Sequence, residues 1–120
     1  NFKKLNDALG HDAGDQALIH LANVCRKTLR PQDTVARFGG EEFVILLPET
    51  PKEEAVIALT RLQRELTKKF FLSGNEKVLI TFSAGVTQML PNDNQATVIK
   101  RADEAMYKAK QTGKNRVIAA

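Results

Sequence analysis

The sequence contains a single cysteine and no apolar run long enough to cross a membrane. Because Cys25 has no partner within the chain, an internal disulfide is excluded, which agrees with a reducing compartment. A membrane-spanning helix needs about 20 consecutive apolar residues, and no signal peptide is visible. We therefore expect a cytoplasmic segment without membrane contact, which is compatible with the cytoplasmic part of a larger or membrane-anchored protein.

Internal repeats, low-complexity tracts and linker-like stretches are also absent, and 120 residues are sufficient for one domain with a core of its own. The chain is 42% apolar and 27% charged, which is ordinary for a soluble globular protein. The 18 basic and 14 acidic side chains leave a net charge of +4. This excess is compatible with a phosphate-bearing partner without requiring one, and we predict no nucleic-acid binding.

Three stretches show the apolar spacing of amphipathic helices. The first ends at about Leu29, and the second opens with Thr50-Pro51-Lys52-Glu53, a capping box with proline at the first helical position. The third runs from about Gln95 to Gln111, and Gly113 suits the position after its end. A further short helical turn is predicted at 1–9. The predicted buried faces are Leu18, Leu21, Ala22, Cys25 and Leu29; Ala55, Leu59, Leu62 and Leu66; and Val98, Ala102, Ala105, Met106 and Ala109.

Strand patterns lie between these helices. Two apolar runs flank the pair Gly39-Gly40, which predicts a β-hairpin because glycine adopts the positive φ of a tight turn. Residues 73–76 predict a turn, residues 78–86 alternate as one strand, and 115–119 form a short closing strand. The element order indicates an α+β fold, with a central, mainly antiparallel sheet flanked by helices. One more strand at the N-terminal side would give the ferredoxin-like βαββαβ pattern.

The hairpin tip, Gly39-Gly40-Glu41-Glu42-Phe43, is the segment best suited to chemistry. Glycine lets a ligand approach the backbone closely, and a neighbouring carboxylate can hold a hard cation. Adjacent residues of a strand point to opposite sides, so Glu41 and Glu42 face different directions. From local chemistry alone, a solvated turn with charged residues is the alternative interpretation.

This segment resembles the signature of the GGDEF family, the bacterial diguanylate cyclases, in its glutamate variant. Four further segments fit at the right separations, so the resemblance covers nearly the whole chain. It implies a fold similar to the palm of nucleotide polymerases and to the class III nucleotide cyclases. It also implies that two GTP are condensed into cyclic di-GMP with release of two pyrophosphates. The implied requirements are Mg²⁺ or Mn²⁺, a homodimer for catalysis and an upstream sensory or receiver domain.

The resemblance assigns substrate-binding roles to the opening segment. Asn6 and Asp15 match the residues that hydrogen-bond guanine, whose N–H groups suit a carboxylate and whose acceptors suit an amide. Lys3 matches a phosphate-contacting lysine that offsets developing charge, and His11 matches a position close to the substrate. From the residues alone, Asp15 or Asp12 can be a helix N-cap, Asn6 a helix-end residue, and His11 structural.

At the hairpin tip, the resemblance assigns the metal site. Glu41 matches the metal-binding acid that also accepts the proton of the attacking 3′-hydroxyl, and Glu42 is a second candidate ligand. Gly39 and Gly40 would let the backbone lie against the substrate. The metal is expected to bridge phosphates and protein carboxylates during in-line attack on an α-phosphate.

Towards the C-terminus, the segments 101–110 and 113–115 resemble the closing signature of the family. Lys110 matches a triphosphate contact. Lys114 stands where the family usually has arginine, and it keeps the charge but loses the bidentate fork. The alternative is a solvated, cationic helix end, which the helix dipole favours.

Arg30-x-x-Asp33 matches the inhibitory site of the family, which binds an intercalated cyclic di-GMP dimer, and Arg61 matches its secondary arginine. By spacing alone, the two residues are more simply a surface ion pair.

In the family an Asp-x-Asp metal segment on a strand lies just before the position of Asn1. We therefore expect residues 1–120 to be a GGDEF domain truncated before that strand, a fragment that can be inactive by itself. A catalytically inactive receptor for cyclic di-GMP is the first alternative, and an interaction domain without nucleotide is the second.

Overall fold

The computed structural model of the chain describes residues 13–39 and 42–120. In chain order the elements are α1 (Ala13–Thr28), β1 (Thr34–Gly39), β2 (Glu42–Leu46), α2 (Lys52–Lys68), β3 (Phe71–Ser73), β4 (Glu76–Val78), β5 (Ala84–Val86), α3 (Gln95–Gln111) and β6 (Val117–Ala119). This composition confirms the predicted α+β class. Within the described ranges, no helix combines the length and the apolar content that crossing a bilayer requires.

The described residues form two compact units. The first unit comprises the described residues up to Pro48 together with Arg64–Ile80, and the second comprises Glu49–Gln63 together with Thr81–Ala120. The strands pair two by two: β1 with β2 and β3 with β4 are antiparallel, whereas β5 with β6 is parallel. The prediction of mainly antiparallel pairing therefore holds for two of the three pairs.

In the first unit, helix α1 buries Ala17, Val24 and Cys25. The predicted helix is confirmed, but the prediction that Ala22 points inward is wrong, since Ala22 is exposed. Residues 17, 21, 24 and 25 follow the helical repeat, and Ala22 lies beside this stripe. Burial raises the pKa of the Cys25 thiol to about 11.

The predicted hairpin of β1 and β2 is confirmed. Its register runs from Thr34 opposite Leu46 to Arg37 opposite Phe43, and then shifts so that Gly39 lies opposite Glu42. The shift places one extra residue, Phe38, in β1, as in a β-bulge, and such bulges often lie beside functional sites. The irregularity therefore falls directly before the glycine pair.

The turn predicted at 73–76 is confirmed, and it joins β3 to β4 with Gly74 at a φ of 62°. The continuous strand predicted for 78–86 is wrong, because its two ends belong to different strands. Val78 pairs with Phe71 in the first unit, and Ala84 pairs with Val117 in the second. Both ends of this segment show the same alternation of side chains, although they pair with different strands.

In the second unit, α3 packs against β5 and β6. The predicted bounds of α3 are confirmed, and Thr112 is the C-cap with Gly113 directly after it. A capping box of Asn94 and Thr97 begins the helix.

The predicted buried face of α2 is also confirmed, although the helix begins at Lys52, one residue later than predicted. That face comprises Ala55, Leu59, Leu62 and Leu66.

Candidate functional site

The hairpin tip in the first unit carries the predicted metal and catalytic residues. Gly39 is the last residue of β1, Glu42 is the first of β2, and the two are paired. Gly40 and Glu41 lie outside the described residues. Glu42 is exposed and forms no ion pair with the residues that the structure describes. Its carboxylate is a hard oxygen donor and is thus chemically suited to a divalent cation.

Among the residues predicted to bind substrate in the opening segment, the structure describes only Asp15. It lies exposed in the first turn of α1. Because α1 begins at Ala13, Asp15 is inside the helix, and its interpretation as the N-cap is wrong. A carboxylate in this position interacts favourably with the helix dipole. The predictions for Lys3, Asn6, His11 and the alternative cap Asp12 concern residues outside the described part of the chain.

In the second unit, the closing segment places two predicted phosphate contacts near the end of α3. Lys110 is exposed in the last helical turn. Lys114 is exposed in the connection to β6, where it adopts a φ of 61°. The Lys114 amide donates to the carbonyl oxygen of Ala109 at 2.9 Å. This bond satisfies one of the last carbonyls of the helix, as is usual at a helix end that turns sharply.

Gln63, which the sequence did not single out, holds this connection through Asn115. The Gln63 Nε2 donates to the carbonyl oxygen of Asn115 at 2.6 Å and to its Oδ1 at 2.8 Å. Asn115 also has a positive φ of 49°. Because 52 residues separate Gln63 from Asn115 along the chain, no local sequence signal identifies the contact.

Arg101, the first residue of the closing signature, forms hydrogen bonds with other residues of the chain. Its guanidinium donates to the Thr87 hydroxyl at 2.7 Å, to the Gln88 carbonyl oxygen at 2.9 Å and to the Asp93 carboxylate. Asp93 also accepts from the amide of Leu90 at 2.8 Å. Hydrogen bonds from Arg101, and then from Leu90, hold the pKa of the Asp93 carboxyl well below its usual range. This network ties the start of α3 to the segment after β5.

Arg30 and Asp33, predicted as part of an inhibitory site, are in direct contact in the first unit. The Arg30 Nη2 lies 2.8 Å from Asp33 Oδ1, and the Arg30 amide donates to Oδ2 at 2.9 Å. The guanidinium also donates to the Pro48 carbonyl oxygen at 3.2 Å. Hydrogen bonds from the Arg30 side chain are the main cause that lowers the pKa of Asp33. Arg61, assigned to the same site by resemblance, is exposed on the part of α2 that belongs to the second unit.

The described residues thus bring together Arg30 and Asp33 among the predicted site residues. Asp15 and Glu42 are exposed in the first unit, and Lys110 and Lys114 are exposed in the second. In the part of the chain that the structure describes, no group of three or more His, Cys, Asp or Glu side chains is arranged to hold a metal ion.

Comparisons with known proteins identify the family of the chain. The family profile described as diguanylate cyclase, GGDEF domain, matches residues 1–116. Diguanylate cyclase DgcP of Pseudomonas aeruginosa is 44% identical over 117 residues, which cover 98% of this chain and 17% of DgcP. The chain therefore spans about a sixth of the length of that relative.

Two solved structures are similar to the chain over nearly its whole length. Diguanylate cyclase SiaD, in complex with its activator SiaC from Pseudomonas aeruginosa, matches with a TM-score of 0.93 and 35% identity over 99% of this chain and 46% of SiaD. The GGDEF domain of DgcB from Caulobacter crescentus, in complex with c-di-GMP, matches with a TM-score of 0.90 and 35% identity over 98% of this chain and 71% of that one. On this profile match and these similarities, the chain belongs to the GGDEF-domain family of diguanylate cyclases.

Proposed function

We propose that this chain is the catalytic domain of a diguanylate cyclase that converts two GTP into cyclic di-GMP and two pyrophosphates. The 3′-hydroxyl oxygen of one GTP attacks the α-phosphorus of the other, a phosphodiester bond forms and pyrophosphate leaves. The reciprocal attack closes the ring. The observation that carries the proposal is the family match over residues 1–116 with the signature Gly39–Phe43 intact across the β1–β2 connection.

Glu41 and Glu42 are the residues that would hold Mg²⁺ or Mn²⁺. Glu42 supports this assignment, because it is exposed at the start of β2, opposite Gly39, and a carboxylate is a hard oxygen donor. Bound there, the ion would neutralise charge on the phosphates. Glu41 would accept the proton of the attacking 3′-hydroxyl.

The remaining substrate contacts divide between base and phosphates. The Asp15 carboxylate would accept hydrogen bonds from the N–H groups of guanine, and its exposure in the first turn of α1 leaves it accessible to a ligand. Lys110 and Lys114 would contact the triphosphate, since both side chains are exposed and carry the required charge. Lys3 would be a catalytic residue, since its positive charge would offset the charge that develops on the phosphates. The other proposed substrate contacts are Asn6, His11, Gly39 and Gly40.

Each domain would hold one GTP, so catalysis requires two copies that face each other across a two-fold axis. An upstream sensory or receiver domain would control this pairing. GTP as the substrate and the single buried cysteine both agree with action in the bacterial cytoplasm.

Cyclic di-GMP would act as a feedback inhibitor at Arg30, Asp33 and Arg61. The Arg30–Asp33 pair supports this role, because the carboxylate fixes the orientation of a guanidinium that remains exposed. An oriented guanidinium can form paired hydrogen bonds with a guanine edge or a phosphate. The DgcB domain similar to this chain was solved in complex with c-di-GMP.

The test compares variants of the intact protein incubated with GTP and Mg²⁺, with cyclic di-GMP quantified by chromatography. Glu41→Gln should lower turnover by at least about 100-fold, since it removes both a metal ligand and the proton acceptor. Arg30→Ala should leave turnover intact and abolish inhibition by added product. Glu76→Gln and Arg26→Ala, at exposed positions of the first unit, are the matched controls.

A receptor would give a different pattern, in which no variant turns over GTP and only Arg30→Ala weakens binding of cyclic di-GMP. An interaction domain without nucleotide would give no heat on titration with GTP or cyclic di-GMP. Either result contradicts the proposed cyclase.

A further inference from the structure

Three consecutive residues after α3 have positive φ angles. The values are 130° for Gly113, 61° for Lys114 and 49° for Asn115, and we call these residues the 113–115 turn. Glycine adopts such angles freely and asparagine tolerates them, whereas a lysine in the left-handed region crowds its Cβ against the backbone. A non-glycine residue persists in this conformation only where its surroundings impose it.

Contacts on both sides of the turn impose this backbone path. Before it, the Thr112 amide donates to the carbonyl oxygen of Lys108 at 3.0 Å. After it, the carbonyl oxygen of Arg116 accepts from the amide of Ala84 at 2.8 Å, which fixes the start of β6 against β5. The turn is therefore anchored at its two ends.

Gln63 is the only described side chain outside the turn that hydrogen-bonds Asn115. Its amide group bonds both the main-chain oxygen at 2.6 Å and the side-chain Oδ1 at 2.8 Å. A single donor group thus fixes the backbone and the side chain of the same residue. Asn115 directly follows Lys114, so the hydrogen bonds from Gln63 restrain the backbone on the C-terminal side of Lys114.

We propose that Gln63 is a positioning residue that holds the 113–115 turn so that Lys114 reaches the triphosphate of GTP. The proposal rests on the proposed function, in which Lys114 is a phosphate contact. The ammonium of Lys114 is a point charge at the end of a four-carbon stem. A restrained backbone at residues 113–115 therefore limits the region that this charge can reach.

The sharpest variant is Gln63→Glu, because it keeps the size of the side chain and replaces the donor by an acceptor. A carboxylate facing the two oxygens of Asn115 repels them instead of binding them. Gln63→Leu removes the donor without adding charge. The matched control is Gln95→Leu, which makes the same change at the exposed first residue of α3.

The experiment measures GTP affinity of the intact protein by titration calorimetry, together with KM and kcat. Gln63→Glu, Gln63→Leu and Lys114→Ala should each weaken GTP binding by about tenfold, the size of one charge-assisted contact. In the Lys114→Ala background, the Gln63 substitutions should have no further effect, because residues that act through one another are not additive. Gln95→Leu should bind GTP as the wild type does.

Additive losses in the double variants would show that Gln63 acts independently of Lys114 and would overturn the proposal. So would unchanged GTP affinity in both Gln63 variants of a protein that makes cyclic di-GMP. If GTP binds with the predicted dependence on Gln63 but no cyclic di-GMP forms, the positioning role stands and the cyclase proposal fails. Absence of GTP binding by the wild type overturns both.

Discussion

Gly85 in β5 lies against the backbone of α3, and a Cβ at this position would overlap the carbonyl oxygen of Ala102 and the amide nitrogen of Met106. Since neither atom can move without the helix, Gly85→Ala should lower the free energy of unfolding by at least about 3 kcal/mol, at the upper end of overpacking costs. Chemical denaturation followed by circular dichroism measures the loss.

Gly74→Ala is the control, since the same added methyl meets nothing within 4 Å in the turn between β3 and β4. Its φ of 62° alone should cost about 1 kcal/mol. Equal losses for the two variants would mean that α3 does not approach β5 as closely as described.

Asp93 provides a pH-dependent part of the stability. Hydrogen bonds from Arg101 hold the pKa of Asp93 in the folded protein below the ordinary pKa of an aspartate, which is about 4. The ionised carboxylate therefore stabilises the folded state at pH values above the ordinary pKa. This stabilisation is lost as the pH falls from the ordinary pKa through the lower pKa of the folded protein. Asp93→Asn should therefore lower the melting temperature at pH 7, and its difference from the wild type should shrink towards pH 3.

Asp103→Asn is the matched control, because Asp103 is exposed on α3 and forms no ion pair with the described residues. Its melting temperature should follow that of the wild type across the same pH range. A difference between Asp93→Asn and wild type that stays constant from pH 7 to pH 3 would contradict the assigned role of the carboxylate.

At the scale of the elements, α3 begins with a capping box. The Thr97 amide donates to Asn94 Oδ1 at 2.9 Å, and the Asn94 amide donates to Thr97 Oγ1 at 3.0 Å. These bonds satisfy two backbone groups at the helix start, so Asn94→Ala should cost about 1 kcal/mol of stability. Asn92→Ala, at an exposed turn position two residues earlier, should be neutral in the same denaturation assay. Equal costs for both variants would argue against the cap.

The helices were the elements most fully predicted from the sequence. Leu59, Leu62 and Leu66 recur at helical spacing, and the structure buries all three. The face of α1 was predicted less well, because small residues such as Ala17 and Ala22 carry a weak apolar signal on either side of a helix. Helix propensity and apolar spacing therefore predict the presence of a helix better than they predict which of its faces is buried.

The pairing of the strands could not be predicted from local sequence patterns. Residues 78–86 alternate throughout, yet Val78 and Ala84 pair with segments that are far apart in the sequence. Alternation reports which faces are buried, and it contains no information about the partner strand or its direction. The β-bulge at Phe38 was missed for the same reason, since a bulge exists only relative to a partner strand.

The candidate site was predictable where its residues are adjacent in the chain. The signature Gly39–Phe43 and the pair Arg30 and Asp33 were identified from short motifs, and the contact between Arg30 and Asp33 is present in the structure. The contact of Gln63 with Asn115 and the network of Arg101 depend on tertiary structure and lie beyond motif analysis. Arg101, which belongs to the closing signature, makes its described contacts within the protein.

At the scale of the whole molecule, the chain is a GGDEF-family domain that matches its family over residues 1–116. The proposed reaction joins two nucleotides, each bound to a separate copy of the domain, so turnover should depend on protein concentration. The rate per domain should rise with concentration until the dimer is saturated. A rate per domain that stays constant upon dilution well below any dimer dissociation constant would contradict the two-copy mechanism.

The most direct measurement is the stoichiometry of the reaction catalysed by the intact wild-type protein with GTP and Mg²⁺. Released pyrophosphate and cyclic di-GMP are quantified in the same samples, with Glu41→Gln as the inactive reference. Two pyrophosphates should form for each cyclic di-GMP, and the variant should form neither product. No cyclic di-GMP from a dimeric wild-type preparation, or equal yields from wild type and Glu41→Gln, would contradict it.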